Sequence, residues 1–276
     1  MSDETNALAT IPEAGAYLPA DPEMLGILKE NLGGQSIDPS MLVQVKAPAG
    51  GGKHFTVQTI DGEVTTEAIV GVITLWQTQR MRWASGDPDG SPPLCVSRDG
   101  EIGRGDNGTR PADNAKAEAA GWELRYTPDG VDVWSGTHNC ATCPLSKMGS
   151  AEGGGAGQGC TEKRLLYVRG QDSLLPIAVN VAPTSIRNYT EYSLRLAAGT
   201  TPYYGAVTEL TLEPTKNSAG KPYSKIKFRR ARGMAPEEVQ SMREYRAAIV
   251  PVLQSTLLTD GEYVTPASAV DALEDA

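Results

Sequence analysis

The chain has 276 residues, 39% hydrophobic and 21% charged, which excludes full disorder and leaves room for two average domains or one larger one. The net charge of −9 argues at first sight against a polyanionic partner, and the longest apolar run, Ala68 to Trp76, is too short to cross a bilayer. Phenylalanine is nearly absent (two), so the aromatics are mainly tyrosine (ten) and tryptophan (four), rings with an apolar face and a polar edge.

The first residues carry Asp3, Glu4 and Pro12 with no apolar stretch, so no signal peptide is expected and the cytoplasm is the expected location. Residues 1–20 read as a flexible arm. Asp21-Pro22-Glu23 has the cap and first-turn proline of a short helix, stopped by Gly33-Gly34. Met41–Lys46 and His54–Ile60 read as strands joined by a glycine-rich link. Glu63–Ala84 is β-branched and long enough for more than one strand. Residues 85–121 read mostly as loop. Trp122–Trp134 alternates around Pro128-Asp129-Gly130, a hairpin signal, and Ser146–Gly159 is a glycine loop.

Strand signals return at Arg164–Val168 and Leu175–Val181. Pro183 opens a helix with Ile186, Tyr189, Tyr192 and Leu196 on one stripe and Gly199 at its end. Gly205–Leu212 and Tyr223–Arg229 form a hairpin around Asn217-Ser218-Ala219-Gly220. Pro236–Leu258 is helix-like, with Pro251 expected to kink or end it. This order suits a mainly β fold with some α, an OB-like twisted β-barrel with an inserted element and flanking helices. The expected division is an arm and short helix over 1–37, the barrel over 38–258 with an insertion at about 88–163, and an acidic flexible tail over 259–276.

Cys95, Cys140, Cys143 and Cys160 follow the spacing C-x44-C-x2-C-x16-C. Without an export signal they are not expected to form disulfides. Cys140-Ala141-Thr142-Cys143 is a knuckle whose two thiolates suit one side of a tetrahedral zinc, and Cys160 and Cys95 complete a closed, structural site for one Zn²⁺. His138 is the alternative fourth ligand to Cys95. A redox C-x-x-C calls for a strand-to-helix junction, whereas this knuckle follows a hairpin and precedes a glycine loop.

Catalytic patterns are missing from the sequence. His138-Asn139-Cys140 lacks the glutamate and proline of a zinc deaminase. Gly50-Gly51-Gly52-Lys53-His54 lacks the first glycine and the Ser/Thr of a phosphate loop, and a strand follows it, so it reads as a turn. We therefore expect a non-enzymatic protein.

Charge is unevenly distributed. Cys160–Gly233 holds twelve Lys/Arg against five Asp/Glu; Met1–Glu30 has six acids and one lysine; Glu237 to the end has eight acids and two arginines. A basic middle between acidic ends suits a polyanion binder with solubilising or partner-binding tails. Arg80, Arg82 and Trp83 alternate in one segment. Lys216, Lys221, Tyr223, Lys225, Lys227, Arg229 and Arg230 form the densest cationic hairpin, with residues 223, 225, 227 and 229 on one strand face. Cations neutralise phosphates while aromatics stack on bases, as a single-strand binder requires.

The segments Cys95-Val96-Ser97-Arg98-Asp99-Gly100, Cys140 to Ser150, Gly159-Cys160, Arg164-Leu165-Leu166, Leu175-Pro176-Ile177, Pro183-Thr184-Ser185, Val207-Thr208 and Gly220-Lys221-Pro222-Tyr223 resemble a group of bacteriophage and mobile-element proteins. The resemblance covers roughly Cys95 to Arg229, about half the chain. It implies a four-cysteine metal site and a role in phage or element DNA replication or recombination on single-stranded DNA, and it supplies no catalytic residues. This chain departs from the group in its longer Cys95–Cys140 interval and in its ends. The expected function is single-stranded DNA binding, with replication or recombination proteins as partners of the acidic C-terminal tail. The alternative is a zinc-stapled protein-interaction or virion scaffold module without nucleic-acid binding.

Overall fold

A computed structural model describes residues 8–17, 30–31, 33, 41–48, 50–59, 62–83, 93–126, 132–151, 157–171, 173–217 and 220–255. The chain divides into two compact units. One comprises Met1–Trp76 and Lys163–Thr259; the other comprises Gln77–Glu162 and Asp260–Ala276, of which the last stretch lies outside the described residues.

In the first unit the strands are β1 (Gln44–Lys46), β2 (Phe55–Thr59), β3 (Gly62–Thr66) and β4 (Ala68–Arg82, which continues into the other unit). They are joined by β9 (Thr161–Arg169), β10 (Ile177–Val181), β11 (Ala206–Lys216) and β12 (Pro222–Gly233). The order is β3-β2-β1-β10-β9-β4, with β11 pairing β4 and β12 pairing β11. β1 and β10 run parallel, whereas β11 lies antiparallel to both β4 and β12.

The β-branched run of β4 is central because both of its faces are buried, which period-two geometry allows only between two covering layers. Ile69 and Ile73 join Leu166, Val168, Leu210 and Ile226 in one core, closed by Tyr189, Tyr192 and Leu196. Those three lie on α2 (Pro183–Ala198). Val70 and Val72 join Leu165, Tyr167 and Val207 in the opposite core, closed by Met242, Tyr245, Ile249 and Leu253. Those four lie on α3 (Pro236–Ser255). The first core is closed by the helical stripe that the sequence predicts.

The mainly β class is observed, as one large mixed sheet; no pairing among the described residues closes it into a barrel. α3 runs four residues past Pro251, whose ring is exposed while Leu253 beyond it is fully buried. Packing of the apolar stripe thus outweighs the lost backbone hydrogen bond. Residues 8–17 are not a free arm. Tyr17 is fully buried in the second core, and its hydroxyl donates to the Arg169 carbonyl. The helix expected from Asp21 lies outside the described residues apart from helical Glu30 and Asn31 and the turn at Gly33. The acidic tail over 259–276 also lies outside them.

The second unit contains β5 (Cys95–Ser97), β6 (Ile102–Gly105), β7 (Glu123–Tyr126) and β8 (Asp132–Asn139), with α1 over Asn114–Ala119. Residues 80–82 of β4 pair with β5, β5 with β6, β6 with β8, and β7 with β8. The expected Trp122–Trp134 hairpin is present. The stretch expected to be mostly loop instead carries β5, β6 and α1. Its strands are three and four residues long, too short to show an alternating pattern.

Candidate functional site

All four cysteines belong to the second unit and all are free thiols. β5 carries Cys95, and Cys140 follows β8, its N–H donating to the Glu101 carbonyl at 2.8 Å. Cys143 caps the single 3₁₀ turn Pro144–Ser146, accepting from the Ser146 N–H. The Cys160 N–H donates to the Leu145 carbonyl at 3.0 Å, which returns the glycine loop to the knuckle.

Gly103 on β6 makes the approach of the thiols possible. A Cβ there would stand 3.2 Å from the Cys95 sulfur and 3.5 Å from the Cys140 sulfur. Two residues on, Gly105 has φ 126°, and a Cβ would meet the Leu94 carbonyl oxygen at 2.1 Å. Only glycine fits there.

The thiols sense one another. Burial, followed by Cys160, Cys140 and Cys143, pushes the Cys95 thiol up to about 12. Burial and then Cys140 push Cys160 up to about 11, and burial also raises Cys140. Arg80 acts in the opposite direction on Cys140 and Cys160, and Arg82 on Cys95 and Cys160. Cys95, Cys140 and Cys160 thus resist ionisation as free thiols. Among the described residues, no group of three or more His, Cys, Asp or Glu side chains is arranged as a preformed metal site. Nε2 of His138 lies 2.9 Å from the Gly105 carbonyl, and its ring tilts against Trp122 at 5.0 Å.

The structure gives Arg80 and Arg82 a different place from the one expected. They are internal to the second unit. Arg80 pairs with Glu162, each side chain under one-fifth exposed, and its Nε and Nη1 are buried without a hydrogen-bond partner. Nη1 of Arg82 donates to the Asp106 carbonyl at 2.9 Å. Both guanidiniums are therefore largely covered by contacts to acidic residues and backbone. Trp83 is half-buried.

The cationic hairpin is present in the first unit. On β12, Ser224 and Ile226 are buried and Phe228 packs against the core, so Tyr223, Lys225, Lys227 and Arg229 share the opposite face. β11 places acids on that face. Glu209 accepts from Arg229 Nε at 2.6 Å, and Glu213 pairs with Lys227 at 2.8 Å. Lys225 lies over the Tyr223 ring at 5.7 Å. Lys216, Lys221 and Arg230 are exposed. The Gly50–His54 segment is a turn. Gly50 and Gly51 have φ 81° and 79°, β2 follows, and the Gly52 carbonyl accepts from the Ser224 hydroxyl.

Sequence reasoning missed the pair Arg232 and Glu238, which holds the N-terminal segment through contacts far apart in the chain. Trp76, which opens the sequence segment of Arg80, Arg82 and Trp83, is 39% exposed. No helix among the described residues is long and apolar enough to cross a membrane. No family model matches the chain, and neither a curated protein nor a solved structure is similar to it.

Proposed function

We propose that this chain is a non-catalytic single-stranded DNA-binding protein of phage or mobile-element replication or recombination. Its second unit would be held together by one structural Zn²⁺ on Cys95, Cys140, Cys143 and Cys160. The observation that carries the binding half is the outer face of the β11–β12 hairpin, where Tyr223, Lys225, Lys227 and Arg229 stand in one row opposite the core-facing Ile226. Its ion pairs to Glu209 and Glu213 do not argue against this reading. Lys227 and Arg229 are about half exposed, and such surface pairs contribute roughly 0–1 kcal/mol, little enough for phosphates to compete. The twisted run β10-β9-β4-β11-β12 is the part we read as OB-like in role, a sheet wall that presents cations and rings to a strand.

The zinc half rests on the Cys95 and Cys140 sulfurs that flank Gly103, on the charges of Cys140, Cys143 and Cys160 felt at Cys95, and on Arg80 and Arg82 acting on the same thiols. Four thiolates on a divalent ion carry two net negative charges, and two guanidiniums balance them. The metal would supply folding energy to a unit of short strands. The acidic tail would engage replication or recombination proteins.

The test is a fluorescence titration with labelled single-stranded and duplex oligonucleotides at two salt concentrations. Tighter binding to the single strand, falling steeply with salt, is expected. Absence of single-strand binding at low salt refutes the reading and favours a scaffold module.

A further inference from the structure

The aromatic residues on the α2 side of the sheet form a row that ends at the surface. Phe228 on β12 meets the Tyr189 ring of α2 at 5.5 Å, and Tyr189 meets Trp76 at 6.1 Å, both edge to face. Tyr192 stacks on Phe228 from the next turn of α2. Tyr189 and Tyr192 are buried, but Trp76 is 39% exposed. The indole is therefore fixed by a packed neighbour while part of it faces solvent.

An arginine lies at each end of this row. The Arg164 guanidinium lies over the Trp76 ring, 5.0 Å from its centroid. Arg164 sits on β9 at the register position opposite Val181, whose side chain belongs to the same core. Arg230, exposed, follows Phe228 on the same face of β12 and lies close enough to Tyr192 for its charge to be felt there. A partly exposed indole under a guanidinium is poorly suited to an apolar partner. It suits a nucleobase on the ring and a phosphate on the guanidinium, because stacking tolerates any base and arginine adds both charge and a planar face.

We infer that Trp76 is a base-stacking platform for single-stranded nucleic acid, with Arg164 as its phosphate contact, on the α2 side of the sheet. This inference rests on the single-strand-binding reading and adds a contact point that the Tyr223–Arg229 row does not include.

The full chain and the variants Trp76→Ala, Trp76→Phe and Arg164→Gln are titrated with an oligothymidylate at several salt concentrations, following intrinsic tryptophan fluorescence and anisotropy. Trp76→Ala is expected to weaken binding roughly 5- to 150-fold without changing the salt slope, the range for one lost base stack. Arg164→Gln is expected to weaken binding and reduce the slope by about 0.7. Trp76→Phe, which keeps a ring against Tyr189, should retain the fold and most of the affinity while losing part of the fluorescence quenching. Wild-type affinity in Trp76→Ala, or undiminished quenching in Trp76→Phe, overturns the platform while leaving single-strand binding in place. Failure of the unmodified chain to bind at low salt overturns the broader reading and the platform with it.

Discussion

Arg232 and Glu238 form a two-pronged ion pair, Nη1 donating to Oε2 and Nη2 to Oε1, each at 2.8 Å. Glu238 is only 1% exposed, and its carboxylate also accepts the Gly15, Tyr17 and Ala235 N–H groups. Arg232 in turn donates to the carbonyls of Pro12 and Glu13. One pair thus ties the start of α3, the end of β12 and residues 12–17 together.

The Arg232 guanidinium, followed in effect by the backbone donors, holds the Glu238 carboxyl down to about 2 from 4.5. Because the folded value is depressed, this stabilisation is present above pH about 4.5 and is lost as pH falls towards 2. Its full size is on the order of 3 kcal/mol. Glu238→Gln should lower thermal stability at pH 7 and speed proteolytic cleavage before Tyr17, with a smaller loss relative to wild type near pH 3. Equal acid sensitivity in both proteins would contradict this assignment.

The thiol cluster gives a metal prediction. Purified protein should contain about one zinc per chain, and Cys143→Ser should lose it together with the local fold of the second unit. Gly103→Ala should weaken metal retention more than it weakens the first unit, since the new methyl would press on the Cys95 and Cys140 sulfurs. Elemental analysis and chelator competition measure both effects. A metal-free chain whose second unit is fully folded would rule out the structural role.

Arg80 separates two roles that sequence alone cannot distinguish. As an internal cation paired with Glu162 and set beside Cys140 and Cys160, it should leave the salt slope of oligonucleotide binding unchanged when replaced by glutamine. The same substitution should destabilise the protein by on the order of 1–3 kcal/mol, between the limits for exposed and buried pairs. It should also accelerate metal loss to a chelator. A reduced salt slope with unchanged metal retention would return Arg80 to the binding surface.

The hairpin row should behave in the opposite way. Reversing charge at Lys225, Lys227 and Arg229 together should reduce single-strand affinity for every sequence and lower the slope of log K against log salt by about 2, at roughly 0.7 per phosphate contact. Tyr223→Ala should cost on the order of 1–3 kcal/mol with little change in slope. The fold should survive, because these side chains face away from Ile226 and the core, with a modest loss of thermal stability where the new acids oppose Glu213 and Glu209.

Local pattern was enough to read the hairpin of β11 and β12 and the Tyr189–Tyr192–Leu196 stripe of α2, because each is written within about one or two turns or strands of sequence. The three- and four-residue strands β5 and β6 were not legible, because they gain their pairing partners only from the surrounding chain. Only the tertiary structure decided that Arg80 faces Glu162, 82 residues away, and that Tyr17 reaches Glu238 across 221 residues. It also decided that β1 lies parallel to β10. The physical reason is the same in each case. A charge or a strand edge is satisfied by whichever complementary group the fold brings to it, and sequence spacing does not encode that partner when the connecting chain is long.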